Sequence, residues 1–198
     1  MANEIRVPKQ ERAIEKKNRI IKAGFDLFSE VGYYNTNTAE IAKRAGVSTG
    51  IVYGYFKDKR DILLEVLSLY VEKVFEPLLH TIDFIPALDL HSLASQSIEL
   101  AVCTHEHNAK IHEALHSMCH TDEEVNARFM ALEDEMTLRI AKRFEALGIS
   151  VPNLVERVHF AIDNTQSFAH ECVNDHHNYI NYDEFRKIVE NTLVSLFE

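Results

Sequence analysis

Five histidines fall in the stretch VCTHEHNAKIHEALHSMCHT, residues 102–121: His105, His107, His112, His116 and His120, with Cys103 and Cys119 beside them. His112, His116 and His120 step by four, so a helix would set them on one face. Two histidines at that spacing can share Zn²⁺, Ni²⁺ or Cu²⁺, and one alone can ligate haem iron. The stripe lacks the glutamate placement of a hydrolytic metal helix, because Glu113 lies off it. Two readings stand. In the preferred one these are polar or half-buried helix residues, some lining a small-molecule pocket, with no metal and no cofactor. In the alternative, His112, His116 and His120 hold a transition metal or haem.

A second constellation lies in IAKRAGVSTGIVYGYFKDK, residues 41–59. Its residues suit close approach to a polyanion. Ser48, Thr49 and Gly50 are small, as a helix start entering a DNA major groove about 12 Å wide requires. Gly50 costs a helix about 1 kcal/mol against Ala, a cost that makes sense where a side chain would collide with DNA. Ser48 places a hydroxyl among the free N–H groups of a helix start, where phosphate binds. Tyr53 and Tyr55 offer hydroxyls to phosphates, Lys59 offers a charge, and Asn37 caps the preceding helix where it would face the other phosphate wall. Each has a plainer reading as well. Tyr53 could be half-buried beside a core Phe56, and Lys57 and Lys59 could be solvated.

These groups must be positioned by helices. A first helix, about Lys9 to Val31, carries the apolar stripe Ile14, Ile21, Phe25 and Phe28, flanked by Ile20, Leu27 and Val31, and stops at Gly32. Asn37 with Glu40 three residues on opens a second short helix that Gly46 ends. Ser48 caps a third, reaching about Phe56. Two short helices across a Gly-containing turn make a helix-turn-helix. A fourth helix begins near Lys59 or Arg60 and ends near Pro77–His80, before a connector broken by Pro86. Further helices are expected at about 88–107, 109–119, 122–147, 153–174 and 183–197, about nine in all. Thr121 to Glu124, TDEE, reads as a capping box for the helix at 122–147. No segment alternates at period 2, so the fold class is all-α.

Charge divides the chain. Residues 1–63 carry 12 Lys/Arg and 8 Asp/Glu, whereas residues 64–198 carry 9 and 23, and all 11 histidines lie in the second part. A nucleic-acid footprint would therefore belong to the first unit alone. No apolar run approaches the ~20 residues of a membrane span. The charged N-terminus lacks an apolar signal core, and the three cysteines have no framework spacing; a cytoplasmic protein with free thiols is expected. There is no nucleophile elbow, P-loop or zinc-hydrolase motif, so an enzyme is not expected.

Residues 36–63, TNTAEIAKRAGVSTGIVYGYFKDKRDIL, resemble the DNA-binding domain of the tetracycline-repressor (TetR) family of bacterial transcriptional regulators. The resemblance rests on Ile41, Ala42, Ala45 to Ser48, Gly50, Tyr53, Tyr55, Phe56, Lys59 and Leu63 in the family's spacing, and covers roughly residues 12–63. It implies a helix-turn-helix domain over 1–58 and an effector-binding and dimerisation domain over 59–198. It implies phosphate contacts by Asn37, Ser48, Tyr53, Tyr55 and Lys59, and base-edge contacts by Thr49, Gly50 and Ile51. Three positions depart from the pattern. Asn37 replaces the usual Thr cap. Thr38 stands where an apolar residue is usual, which predicts looser packing. Gly54 stands where a bulkier residue is common. No Arg or Gln sits at the start of the recognition helix, so direct readout should be modest, helped by DNA shape and by arm residues Arg6 and Lys9.

The resemblance also implies a C-terminal pocket for a small effector. His112, His116, Phe129, Met136 and Phe168 are chosen from pattern as its lining. The last two helices carry apolar stripes that could pair with a second copy into a four-helix-bundle homodimer, with Phe168, Phe185, Ile188, Val189, Leu193 and Leu196 at the interface. Such a dimer would read a pseudo-palindromic double-stranded operator. The expected protein is a repressor released by its effector, with a metal- or haem-responsive regulator of the same fold as the alternative.

Overall fold

The computed structural model describes residues 9–84 and 89–198. Eight α-helices and no strand occur among the described residues: α1 (Lys9–Val31), α2 (Thr38–Ala45), α3 (Thr49–Tyr53), α4 (Lys59–Phe84), α5 (Leu90–Cys119), α6 (Glu123–Ala146), α7 (Leu154–Val173) and α8 (Tyr182–Ser195). The arm residue Arg6, the side chain of Lys9, and Pro86 and Leu88 in the connector lie outside the described residues.

In α1 the face that is buried holds Ile20, Ala23, Phe25, Leu27 and Phe28, whereas Ile14 and Val31, read as part of the stripe, are exposed. Gly32 ends the helix at φ +90°, a conformation open to residues without a Cβ. Asn37 then caps α2. Its side chain accepts from the Ala39 and Glu40 amides while Glu40 accepts from the Asn37 amide, a complete capping box. Gly46 closes α2 in the left-handed region at φ +68°. The helix after it is shorter than expected, ending at Tyr53 rather than about Phe56. Gly54 explains why a side chain is disfavoured there: an added Cβ would lie 3.2 Å from the Ile51 carbonyl oxygen.

Packing overrides one local signal farther on. α4 runs through Pro77 to Phe84. An interior proline costs about 3 kcal/mol, but Val74, Phe75, Leu79 and Ile82 around it are buried, each contributing about 1.5–3 kcal/mol. The break expected between the helices at 88–107 and 109–119 is present as a kink: Asn108 leaves helical geometry (φ −123°, ψ 21°) and its side-chain amide donates to the Thr104 carbonyl. Taking the two arms together as α5 gives eight helices where nine were expected. The cap of α6 is Asp122 and not Thr121: the carboxylate accepts from the Glu124 and Val125 amides, while the Thr121 hydroxyl donates to Ser117. The ionised Asp122 is the stronger acceptor.

One hydrophobic core runs from α1–α3 through α4 into α5, α6 and α7. A second, smaller cluster joins Ala94 and Ile98 of α5, Phe168 of α7 and Val189, Leu193 and Val194 of α8. Cys103, Cys119 and Cys172 are free thiols. No helix among the described residues is long and apolar enough to cross a membrane.

Candidate functional site

The α2–α3 unit presents a small, polar, outward face. Ser48 caps α3 with its backbone only, so its exposed hydroxyl is not used in the cap. Gly50 is exposed, and an added Cβ would meet only the Ser48 hydroxyl, at 4.0 Å. Nothing inside the chain demands glycine there. Thr49 and Ile51 are half-buried on either side, while Val52 and Phe56 are buried in the main core. Tyr53 is 56% exposed. Its hydroxyl lies 3.0 Å from that of Thr38. The departure at Thr38 thus links the start of α2 to the end of α3 by a hydrogen bond, where looser packing was expected. Tyr55 is half-buried against the core.

Lys59 is more than a surface cation. Its ammonium donates to the Tyr33 carbonyl at 2.7 Å and the Thr36 carbonyl at 2.8 Å, and sits 4.2 Å from the centre of the Tyr33 ring. Partial burial lowers its pKa. It therefore ties the α1–α2 loop to the start of α4. The next residue, Arg60, grips Asp122 through two hydrogen bonds of 2.5 and 2.6 Å and also pairs with Glu124. That contact raises the Arg60 pKa and holds Asp122 well below the usual carboxylate range. Replacing Lys59 with Met strands two carbonyls, and stability should fall by about 1.5–3 kcal/mol, the range for hydrogen bonds to a charged group. An unchanged urea midpoint would show that the latch contributes nothing.

The second part of the site is a cavity of about 590 Å³ between α4, α5, α6 and α7, lined by Tyr70, His112, His116, Phe129, Glu133 and His170 among others. Its size is that of a small-molecule pocket. Desolvation raises the Glu133 pKa. Of the five residues expected to line a pocket, His112, His116 and Phe129 do so. Met136 is buried in the main core and Phe168 in the smaller one. A narrower apolar cavity of about 80 Å³ lies between α4, α5, α6, α7 and α8.

His112, His116 and His120 do not gather as a trio. The His116 and His120 rings are 6.5 Å apart, whereas His105, His112 and His170 bring one ligand nitrogen each to within 4.8 Å of the others. His170 comes from α7, so no spacing within one helix could reveal it. Of the residues expected at a dimer interface, Phe168, Val189 and Leu193 are buried inside the chain, Phe185 and Leu196 pack against that cluster, and Ile188 is 62% exposed.

Residues 20–66 match the family model described as bacterial regulatory proteins, tetR family. The HTH-type transcriptional regulator HbdR of Aromatoleum sp. (strain CIB) is 43% identical over 76 residues, covering 35% of this chain and 33% of its own length. The fatty acid metabolism regulator protein of Bacillus subtilis is 44% identical over 59 residues, 30% of this chain and 29% of its own. The chain thus spans about a third of the length of the curated relatives it matches. A tetR-family regulator structure from Mesorhizobium loti shares the fold with a TM-score of 0.75 at 18% identity, covering 93% of this chain and 96% of its own. A regulator from Saccharomonospora viridis, in complex with choline, superposes with a TM-score of 0.67 at 18% identity over 90% and 95%. These relatives are named as transcriptional regulators. Residues 20–66 are thus similar to the DNA-binding segment of tetR-family regulators, and the helices of the whole chain are arranged as in solved structures of that family.

Proposed function

We propose that this protein is a cytoplasmic, homodimeric, DNA-binding repressor that leaves a pseudo-palindromic operator when a small molecule fills the α4–α7 cavity. The observation that carries the reading is the outward face of α3. Gly50 is unneeded by the interior, and it lies between the Ser48 and Tyr53 hydroxyls on a rigidly capped helix-turn-helix. In this reading Thr49, Gly50 and Ile51 meet base edges. Asn37, Ser48, Tyr53, Tyr55 and the remaining N–H of Lys59 meet phosphates. The acidic body stays away from the DNA. Two copies associate through the outer faces of α7 and α8, where Phe160 and Ile188 remain exposed. The effector acts by preferring a state in which the two reading helices are wrongly spaced.

The test uses the purified full chain and labelled duplexes from the DNA beside its own gene. Binding should be specific, with Kd about 10⁻⁸–10⁻¹¹ M at physiological salt, and should weaken steeply as salt rises. Equal affinity for a scrambled duplex would overturn the reading.

A further inference from the structure

We propose that His105, His112 and His170 form a three-histidine site for a first-row divalent cation, at the inner end of the α4–α7 cavity, with a fourth coordination position open to that cavity. The proposal stands on the hydrogen bonding of each ring and does not depend on operator binding.

His105 and His112 each have one nitrogen engaged on the outer side; His170 has both engaged, and an ion on its Nδ1 would displace the Asn174 amide. His105 Nδ1 is 2.8 Å from the Ala101 carbonyl. A carbonyl only accepts, so Nδ1 carries the proton and Nε2 keeps its lone pair. That Nε2 is buried and has no hydrogen-bond partner, in a residue that is 1% exposed. His170 Nε2 is 3.3 Å from an Asp175 carboxylate oxygen, and its Nδ1 faces the Asn174 amide at 3.1 Å, which donates to it. The lone pair of His170 is therefore on Nδ1. His112 Nδ1 is 2.9 Å from the Tyr70 hydroxyl, leaving Nε2 directed at His170 Nδ1, 3.3 Å away.

Two nitrogens held at about 2.0–2.1 Å on a tetrahedral zinc are roughly 3.3 Å apart. His112 and His170 already have that separation. The widest separation among the three ligand atoms is 4.8 Å, so closing the set takes roughly 1.5 Å of ring movement. The outer partners match the support a metal-bound histidine needs: a backbone carbonyl, a hydroxyl and a carboxylate that fix tautomer and orientation. Burial also lowers the His105 pKa, and takes that of His112 down to about 3, so both are neutral ligands at neutral pH. An all-imidazole set suits Zn²⁺, Cu²⁺ or Ni²⁺ over Mg²⁺ or Ca²⁺. His116, whose ring centre is 4.7 Å from that of His112 and 5.5 Å from that of His170, borders the fourth position.

The experiment uses untagged, chelator-stripped full-length protein, titrated with Zn²⁺ by calorimetry and with Co²⁺ by visible absorption at pH 7.5. One ion per chain should bind, and Co²⁺ should give the intense bands of a four-coordinate site. His170→Ala should abolish those bands and weaken Zn²⁺ at least 100-fold while circular dichroism stays that of the parent. Asp175→Asn, at an exposed position, should weaken Zn²⁺ by about 10–100-fold, the usual effect of losing an outer-sphere partner. His120→Ala should change nothing. Absence of stoichiometric binding overturns the site. So does His120→Ala matching the loss seen with His170→Ala, which would place the ion on the exposed face of α5.

Discussion

Gly50→Leu should leave the protein folded and reduce operator affinity at least 100-fold. The two halves of that expectation come from the same geometry. Gly50 is exposed, has no positive φ, and has open space where a Cβ would project. Leucine is a better helix former than glycine by up to about 1 kcal/mol, so Tm should hold or rise. In the proposed docking on DNA the same volume lies where α3 would meet the groove floor. Lifting α3 off the bases sacrifices several contacts per half-site, and a loss of about 2.7 kcal/mol is already 100-fold. Parallel measurements of Tm and of affinity by anisotropy decide it. Affinity within threefold of the parent would show that Gly50 does not mark the line of closest approach.

The largest stability effect should come from Phe28→Ala, a loss of about 3–5 kcal/mol. Phe28 has no exposed surface and packs edge-on to Tyr33 with ring centres 5.2 Å apart. Gly24, one turn earlier, lets α4 approach so closely that a Cβ there would be 2.8 Å from the Ile62 side chain. The space left by the ring thus lies between helices already at contact distance, with little room to collapse. Removing it also undermines Tyr33, whose face carries the Lys59 ammonium. For a chain of this length the expected fall in Tm is about 6–20 °C. Thermal denaturation followed by circular dichroism measures it; a change below 1 kcal/mol would mean that the α1–α4 contact repacks freely.

The N-terminal unit was legible in the sequence because its determinants are local. Asn37 and Glu40 are three residues apart, and Gly46 acts on its own turn, so spacing alone revealed both ends of α2. Pro77 misled for the converse reason. It weakens the helix it sits in, and it is outweighed by packing from other helices, which no window of sequence contains. The histidine cluster is similar. His112 was visible, but its partners are His105 seven residues earlier, across the bend at Asn108, and His170 on α7. Tyr70 of α4, which no histidine spacing could single out, holds the His112 ring. The α8 stripe was ambiguous from the start, since a helix buries the same residues against its own chain as against a second copy. Phe168, Val189 and Leu193 are committed to the first use.

Lys59 and Arg60 are neighbours with opposite allegiances. One holds the loop ahead of the helix-turn-helix and the other holds the start of α6, whose side chains wall the larger cavity. Their Cα atoms are about 3.8 Å apart across a planar peptide that cannot stretch. The two grips therefore start from adjacent points on the backbone and differ only in the reach of two long side chains. This places the anchor of the helix-turn-helix loop and the anchor of α6 on one peptide unit at the start of α4.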